Sequence, residues 1–328
     1  MRKPGSVLVG VSLLLVGCVS QPFFPKAGPL QETRLEGQGR DKVLVVNISG
    51  LLTSARPANL VDRLLDRPSL PARLKEELTK AQEDEAVKAL VLRINSPGGT
   101  VTASDILYHE IRSFKQKRNI PVIASIMDLG TSGGYYVALA ADRIVAHPSS
   151  ILGSLGVILV TVNAAGLLEK IGVEATAVTS GPHKDMGSPF RAMTEKDRAI
   201  FQGIIDSLHA RFLAVVQEGR PGLTESKVRQ LADGRIYSAA QAKQVGLIDE
   251  IGYLDDAIAF AKQEAGLKEA QVVMYHRPGG YRPNIYAQAG QFSGVEGFLP
   301  SPSLSSLQTF LTGGPPQFMY LWLPYAMQ

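Results

Sequence analysis

The segment "GTSGG" at residues 130–134 carries a serine that could act as a nucleophile. It matches the pattern G-x-S-x-G, in which small neighbours allow a tight turn from a strand into a helix and expose the serine oxygen. The helix that follows would direct its positive end, and the N–H of Gly133, toward negative charge developing on a substrate. A serine at such a turn can also be only the N-cap of that helix. The pattern therefore leaves both roles of Ser132 open.

The base that would activate this serine is not evident nearby. An α/β-hydrolase needs an acid and then a histidine after its serine. Four of the five histidines lie in segments predicted as helix, strand end or irregular tail, namely His109, His147, His209 and His276. Only His183 lies in a loop of suggestive composition, "TSGPHKDMGSPF", and that loop also contains Lys184. The sequence thus offers two candidate bases, both of them distant along the chain.

A lysine acts as a base only when its amine is neutral. The ordinary lysine pKa of about 10.4 would have to fall by about 3 units, which corresponds to ~4 kcal/mol. Burial among apolar side chains produces shifts of that size, and Met186, Pro189 and Phe190 stand close by in the sequence. A carboxylate facing the amine, such as that of Asp185, would oppose the shift. Composition alone favours a solvated Lys184.

The elements that would position these residues alternate between strand and helix. Strands are predicted at "KVLVVNISG", "VKALVLRI", "PVIASIM" and "IVAHP", and helices at "PARLKEELTKAQEDEAV", "TVTASDILYHEIRSFKQK" and "YYVALAADR". This alternation predicts an α/β fold of βαβ units around a mostly parallel sheet. The turn at Gly98 and Gly99 and the turn at Ser132 both lead from a strand into a helix, so they are expected to face one crevice at the carboxyl ends of the strands.

The chain after residue 161 is predicted to be mainly helical, following one more strand-like run, "ILGSLGVILVTV". Thr194 is a suitable N-cap for a long helix, Ser238 for a short one that ends at Gly246, and a last helix covers residues 253–265. The long helix has an apolar face made of Phe201, Ile204, Ile205, Leu208, Phe212 and Val215. Residues 266–328 are predicted to be a C-terminal extension, either draped on the core or a neighbouring subunit, or loosely ordered.

The amino terminus has the pattern of a lipoprotein signal peptide. Arg2 and Lys3 precede an apolar run at residues 7–16, which is too short to span a bilayer comfortably. The run ends in "LVGC", typical of a bacterial lipobox, and Cys18 is the only cysteine, so no disulfide can form within the chain. Residues 1–17 are therefore predicted as the signal peptide and 18–40 as a tether, unless Cys18 is incidental. An anchor at Cys18 predicts a place in the cell envelope outside the cytoplasm, and the absence of an Asp after it favours the outer membrane.

Charge and motifs exclude several other classes of function. The net charge is +4, and removal of Arg2 and Lys3 with the signal peptide leaves +2, which does not suggest a nucleic-acid partner. The sequence has no Walker A motif, no H-E-x-x-H and no cysteine pair. We therefore expect neither a cofactor nor a metal, and we expect activity without ATP.

Four segments in one order carry a resemblance to a known family: "VKALVLRINSPGGTV", "GTSGGYYVALAADRIVAHPSSILGSLGVI", "SGPHKDMGSPFRAMTEKDR" and "ADGRIYSAAQAKQVGLIDEIG". Together they resemble the short form of the signal peptide peptidase A family, which are membrane-associated Ser-Lys peptidases with a fold similar to the Clp protease and crotonase group. The resemblance covers residues 42–265, close to the peptidase domain predicted at 41–265. One departure is Thr131, where the family commonly has alanine.

The resemblance implies a role for each matching residue. Ser132 would be the nucleophile, Lys184 the general base, and the N–H groups of Gly99 and Gly133 the oxyanion hole. Ser154 would help to hold the lysine amine. The resemblance also implies a ring-shaped homo-oligomer in which the lysine of one subunit completes the serine site of its neighbour. The expected substrates are remnants of signal peptides and other unfolded, apolar segments.

Three other interpretations use the same residues differently. A crotonase-like enzyme of acyl chemistry would need a coenzyme A site and has no use for Cys18 or Lys184. A lipid-anchored scaffold would carry only a vestigial site, although Ser132, Lys184 and Gly99 are all intact. A Ser-His hydrolase would use His183 as its base.

Overall fold

The computed structural model describes residues 29–55, 68–277 and 317–322. The predicted signal peptide and Cys18 lie outside these residues. The first half of the chain contains the strands and helices β1 Gln31–Glu36, β2 Lys42–Ser49, α1 Leu70–Glu83, β3 Val87–Ser96, β4 Gly98–Thr100, α2 Val101–Arg118, β5 Val122–Thr131, α3 Gly133–Ala138, β6 Arg143–Ala146, β7 Ile151–Gly153 and β8 Ile158–Leu159. The second half contains α4 Ala165–Lys170, α5 Glu195–Gly219, α6 Glu225–Leu231, β9 Ile236–Ser238, α7 Ala239–Gln244, β10 Glu250–Ile251, α8 Leu254–Glu264, β11 Gln271–His276 and β12 Phe318–Leu321.

The main sheet has the order β1-β11-β2-β3-β5-β6-β10. Every neighbouring pair in this order is parallel except β1 with β11. Strand β7 continues alongside the end of β5 and pairs with β9. The predicted fold class, α/β built of βαβ units with a helical C-terminal part, is confirmed.

Helices cover both faces of this sheet, which explains why most residues of its central strands are apolar. Strand β2 is buried at each position from Val43 to Ile48. One face packs against α1 and α2, and the opposite face packs against α8. A strand enclosed on both faces needs a continuous apolar run rather than alternation, and β-branched residues suit it.

Two strands correct the predictions for the ends of the chain. Residues 31–36, expected to belong to a tether, form the antiparallel edge strand β1. Residues 271–276, expected to begin the extension, form β11, which lies between β1 and β2 inside the sheet. The sheet needs a partner along the free edge of β2, and the apolar residues of β11 supply it.

Two further corrections concern the neighbourhood of the serine. The strand predicted at "PVIASIM" is longer than expected, because β5 runs on to Thr131. The single strand predicted at residues 151–162 is interrupted at Ser154, which has φ 51°, and becomes the separate strands β7 and β8.

The helix caps were predicted correctly. Thr194 and Ser238 each form a capping box at the start of their helices, and Gly246 adopts φ +82° after α7. The apolar face predicted on α5 is buried at Phe201, Phe212 and Val215, whereas Ile204 remains exposed.

Candidate functional site

Ser132 occupies a strained turn between β5 and α3. Its backbone has φ 51° and ψ −115°, a region that residues other than glycine rarely adopt. The turn is held on both sides, since the Ser132 N–H donates to the Gly153 carbonyl at 2.6 Å and the Ser132 carbonyl accepts from Tyr136 N–H at 2.9 Å. A strained backbone that the surrounding structure enforces is typical of an active-site nucleophile.

The side chain of Ser132 does not cap the helix. Its hydroxyl makes no cap hydrogen bond, so the role of a simple N-cap is excluded. The residue is 1% exposed, and its Oγ has no hydrogen-bond partner among the described residues. An unsatisfied buried hydroxyl costs about 1–3 kcal/mol, which is unusual without a functional reason. The hydroxyl is therefore buried and, among the described residues, unpaired.

The residues that follow Ser132 have to be glycine. A Cβ on Gly133 would lie 2.4 Å from Ser104 Oγ, and a Cβ on Gly134 would lie 2.6 Å from the Ser96 carbonyl oxygen. The close approach of the helix start to the end of β3 is thus possible only with these residue types.

The two turns that were expected to face one crevice do meet. Gly98 has φ +102°, and a Cβ there would lie 2.8 Å from the Gly133 nitrogen. The next residue, Gly99, forms a parallel bridge with Leu52, where Leu52 N–H donates to Gly98 and Thr100 N–H donates to Leu52, both at 2.8 Å. The backbones of Gly98 and Gly133 therefore meet at the Ser132 turn, and Gly99 is the next residue along β4.

Strand β12 covers this region, which the sequence did not indicate. It lies antiparallel to both β4 and β8, with Tyr320 opposite Gly99 and Met319 opposite Ile158. The Tyr320 carbonyl oxygen would be 1.9 Å from a Cβ on Gly98 and 3.1 Å from one on Gly133. A backbone carbonyl oxygen thus stands beside the glycines that were predicted to form the oxyanion hole.

The ring of Tyr320 anchors β12 in the core. It is fully buried, with ring centroids 4.6 Å from Phe212 and 5.2 Å from Tyr136, and its hydroxyl donates to the Leu208 carbonyl at 2.9 Å. Burial raises the pKa of this hydroxyl above its usual range, so it stays protonated and donating. Of the two alternatives for the C-terminal extension, the described residues 317–322 are draped on the core.

Ser154 lies close to the serine turn. It directly follows Gly153, whose carbonyl accepts the Ser132 N–H, and its own N–H donates to Arg235 at 2.7 Å. Its φ of 51° is enforced by the sharp break between β7 and β8. The predicted group of Ser132, Gly99, Gly133 and Ser154 is thus brought together.

Lys184 is not joined to this group. Its side chain is exposed, and within the described part of the chain its amine has no hydrogen bond or ion pair. Because Ser132 Oγ also lacks a partner there, one copy of the chain does not form the predicted dyad.

The competing base, His183, is occupied elsewhere. Its Nδ1 lies 3.1 Å from Asp197 Oδ1, and its side chain is 40% exposed. Among the other histidines, His109 lies beside Ser113, His147 beside Ser149, and His276 beside Thr33. None of these contacts involves Ser132.

Sequence reasoning missed the ion pairs that hold the Lys184 loop. Arg191 donates to both oxygens of Asp185, at 2.8 and 2.9 Å, and to Asp197 at 2.6 Å. The signal was present as the regular spacing of six residues in D-x5-R-x5-D, which crosses the start of α5. The Arg191 guanidinium, and to a smaller extent the His183 ring, hold the pKa of the Asp197 carboxyl far below its usual range.

Large apolar side chains are exposed around the same loop. They are Val162, Leu167, Ile171, Val173, Val178, Phe190, Ile200 and Ile204, which we call the apolar flank. Phe190 closes a surface pocket with α4, and Val178 is 98% exposed. Clusters of exposed apolar side chains are typical of surfaces that bind another molecule.

Helix α5 is the one helix among the described residues with the length and composition needed to cross a membrane. Its second half packs in the core through Phe212, Val215 and Val216, while its first half contributes Ile200 and Ile204 to the apolar flank. Within the described ranges, no group of His, Cys, Asp or Glu side chains could hold a metal ion.

Comparison with known proteins matches the chain to one family. The model of peptidase family S49 matches residues 114–268. A relative from Enterococcus faecium, named as a signal peptide peptidase SppA, is 35% identical over 257 residues, covering 78% of this chain and 73% of the relative. The chloroplastic serine protease SPPA of Arabidopsis thaliana is 31% identical and covers 77% of this chain. Protease 4 of Haemophilus influenzae is 34% identical and covers 68%. This chain spans 37% and 35% of the length of these last two proteins.

Proposed function

The chain belongs to peptidase family S49, and on that premise we propose that it is a serine endopeptidase with Ser132 as nucleophile and Lys184 as general base. The observation that carries the proposal is the state of Ser132. Its backbone is held in a strained turn, and its Oγ is buried next to the glycine backbones of β4 and α3, with no hydrogen-bond partner in the part of the chain that the structure describes. Family membership also removes the reason to consider a crotonase-like acyl enzyme.

The chemistry follows from these positions. Ser132 Oγ attacks the scissile carbonyl while the neutral lysine amine takes its proton, and the negative charge forms on the carbonyl oxygen. The N–H groups of Gly133 and Gly99 stabilise that oxyanion by ~3 kcal/mol each, by analogy with other such sites. The lysine returns the proton to the leaving amine, and water then hydrolyses the acyl-enzyme.

The lysine is supplied by a neighbouring subunit in this proposal. A lysine becomes neutral only in a dry setting, and Lys184 is exposed within one chain. The apolar flank surrounds its loop and would be covered by a second copy. Assembly of a homo-oligomer therefore provides both the missing base and the apolar surroundings that the base needs, with Ser154 beside it.

Substrate binding requires that β12 leave its place. One edge of β4 is bonded to Leu52 and the other is paired with β12, so an oxyanion cannot reach Gly99 while β12 is bound. An extended peptide can form the same antiparallel pairing with β4 and β8 that β12 now forms. We therefore propose that β12 competes with the substrate for pairing with β4 and β8.

A chain that ends at Gln317 is expected to cleave peptides with a kcat/KM higher by about 10-fold, mostly through a lower KM, because no strand has to be displaced. Loss of the buried Tyr320 ring should also lower the stability of folding by roughly 3 kcal/mol. Steady-state kinetics and thermal unfolding measure both effects. A chain that ends at Trp322 keeps β12 and serves as the control. Equal kcat/KM for the two lengths would contradict the assignment.

The substrates proposed are remnants of signal peptides and other unfolded apolar segments. An extended peptide without its own fold can bind to the edges of β4 and β8 once β12 has left them. The protein is held in the cell envelope by a lipid on Cys18, facing away from the cytoplasm, with the outer membrane preferred. It works without ATP or a bound cofactor. Mass spectrometry of the lipid-modified peptide would test the anchor, and an unmodified Cys18 in the mature protein would refute it.

The test of the nucleophile is labelling by a fluorophosphonate, which forms a covalent bond to an activated serine. We expect one adduct per chain at Ser132, found by peptide mass spectrometry, and none in Ser132→Ala. Thr131→Ala is the matched control, because Thr131 Oγ1 is also buried and without a partner but should not react. Labelling that persists in Ser132→Ala would overturn the proposed function.

A further inference from the structure

The loop that carries Lys184 is ordered by ion pairs rather than by packing. None of the side chains at residues 181–190 is buried. Yet the residues on either side of Lys184 both have fixed partners, since His183 lies on Asp197 and Asp185 accepts two hydrogen bonds from Arg191. Arg191 in turn donates to Asp197, so His183 and Asp185 are both held by the ion pair between Arg191 and Asp197.

The ion pair between Arg191 and Asp197 is anchored at the start of helix α5. The Asp197 side chain is 1% exposed and accepts from the Thr194 N–H at 3.1 Å, which closes the capping box of α5. The Thr194 hydroxyl accepts from the Asp197 N–H in return. The contacts with Arg191 and His183 are additional to what the helix cap needs, so capping alone does not explain them.

We propose that Arg191 and Asp197 are positioning residues for the general base: they clamp the backbone on both sides of Lys184 and keep the Asp185 carboxylate away from the lysine amine. The inference rests on the proposed function, because it presumes that Lys184 is the base. A bidentate guanidinium pair fixes direction as well as distance, which a single ammonium contact does not.

The second effect of the clamp is electrostatic. A free carboxylate next to Lys184 would favour the charged form of the amine, which cannot accept a proton. The Arg191 guanidinium holds the pKa of Asp185 below its usual range and compensates the charge of that carboxylate. The other charged side chains on the flanking elements are all exposed: Glu169, Lys170, Glu174, Glu195, Lys196 and Arg198. The Arg191 and Asp185 variants below leave all six unchanged, and Arg198 is altered only in the control.

The experiment compares peptidase kinetics of the assembled protein carrying Arg191→Gln with the unaltered protein. We expect kcat to fall about 100-fold while KM changes less than about 2-fold, because orientation of the base affects the reaction rather than binding. The acid limb of the kcat profile should move to higher pH, since Asp185 is released. Arg191→Lys should recover part of kcat, and Asp185→Asn combined with Arg191→Gln should return the acid limb toward its original place.

Arg198→Gln is the matched control, because Arg198 stands at the start of the same helix but, among the described residues, forms an ion pair only with exposed Glu195. Mass measurement and thermal unfolding accompany each variant. An unchanged kcat in Arg191→Gln while Lys184→Ala is inactive would overturn the clamp and leave the proposed dyad intact. A loss of kcat that is explained fully by lost assembly, with an unmoved pH profile, would also overturn it. Activity in Lys184→Ala would instead overturn the proposed function itself.

Discussion

Replacing Lys184 by alanine is expected to lower kcat/KM for an unstructured apolar peptide by at least about 1,000-fold, whereas His183→Ala retains most of the activity. Removing the base leaves the serine hydroxyl without a proton acceptor, and losses of this size are usual when a member of a catalytic unit is removed. The His183 ring already contacts Asp197, and its loss removes one contact of the loop rather than the base. Hydrolysis of a quenched fluorescent peptide measures both variants.

The pH dependence separates the two bases a second time. A neutral lysine should give a rate that still rises above pH 7, whereas a histidine with an ordinary pKa of about 6.5 would give a plateau by then. Circular dichroism and thermal unfolding should show that Lys184→Ala is folded, because the exposed Lys184 side chain makes no hydrogen bond or ion pair within the described residues. Retained activity in Lys184→Ala together with inactivity of His183→Ala would replace the Ser-Lys dyad by a Ser-His one.

Mixing two inactive proteins is expected to restore activity. Ser132→Ala supplies an intact lysine and Lys184→Ala supplies an intact serine, so a site formed between subunits can draw one working group from each. In a randomly mixed ring at equal amounts, about a quarter of the sites receive both groups, and we expect about a quarter of the activity of the unaltered protein. The mixture is measured after the subunits have exchanged under mild dissociating conditions.

The control for this experiment is a mixture of Ser132→Ala with a chain carrying both substitutions, which has no intact serine and should stay inactive. A dyad formed within one chain would give no activity in either mixture. A substitution in the apolar flank, Val178→Glu, offers an independent check, because Val178 is 98% exposed and lies outside the Ser132 turn. A monomeric protein of this kind that remained fully active would contradict a shared site.

The turn at Ser132 and the elements around it were predictable because their determinants are local. The spacing of glycines around Ser132 acts within five residues, and the structure confirms the strained turn that this spacing predicts. The apolar runs of β2, β3 and β5, which alternate with helices, predicted βαβ units around a mostly parallel sheet. The N-caps Thr194 and Ser238 depend on contacts three residues away, which makes them recognisable without any knowledge of the fold.

The parts that were not predictable depend on contacts between distant residues. Whether a strand-like run joins the sheet depends on which strand edge is free to pair with it. The places of β1 and β11 in the sheet therefore depend on the free edge of β2, which lies far from β11 in the sequence. The covering of Gly99 by Tyr320 joins positions separated by most of the chain, and no local pattern at either residue indicates it.

Sequence by itself thus determined the fold class, the tight turn at Ser132 and the loop that holds the lysine, since each is encoded by the types and spacing of neighbouring residues. Tertiary structure alone decided three other features: Lys184 stands exposed and apart from Ser132, Arg191 secures the lysine loop, and β12 lies over the glycine backbones. These features arise from packing between segments that are distant in the sequence. The space beside one segment, and its unpaired backbone N–H and C=O groups, determine which other segment can pack against it.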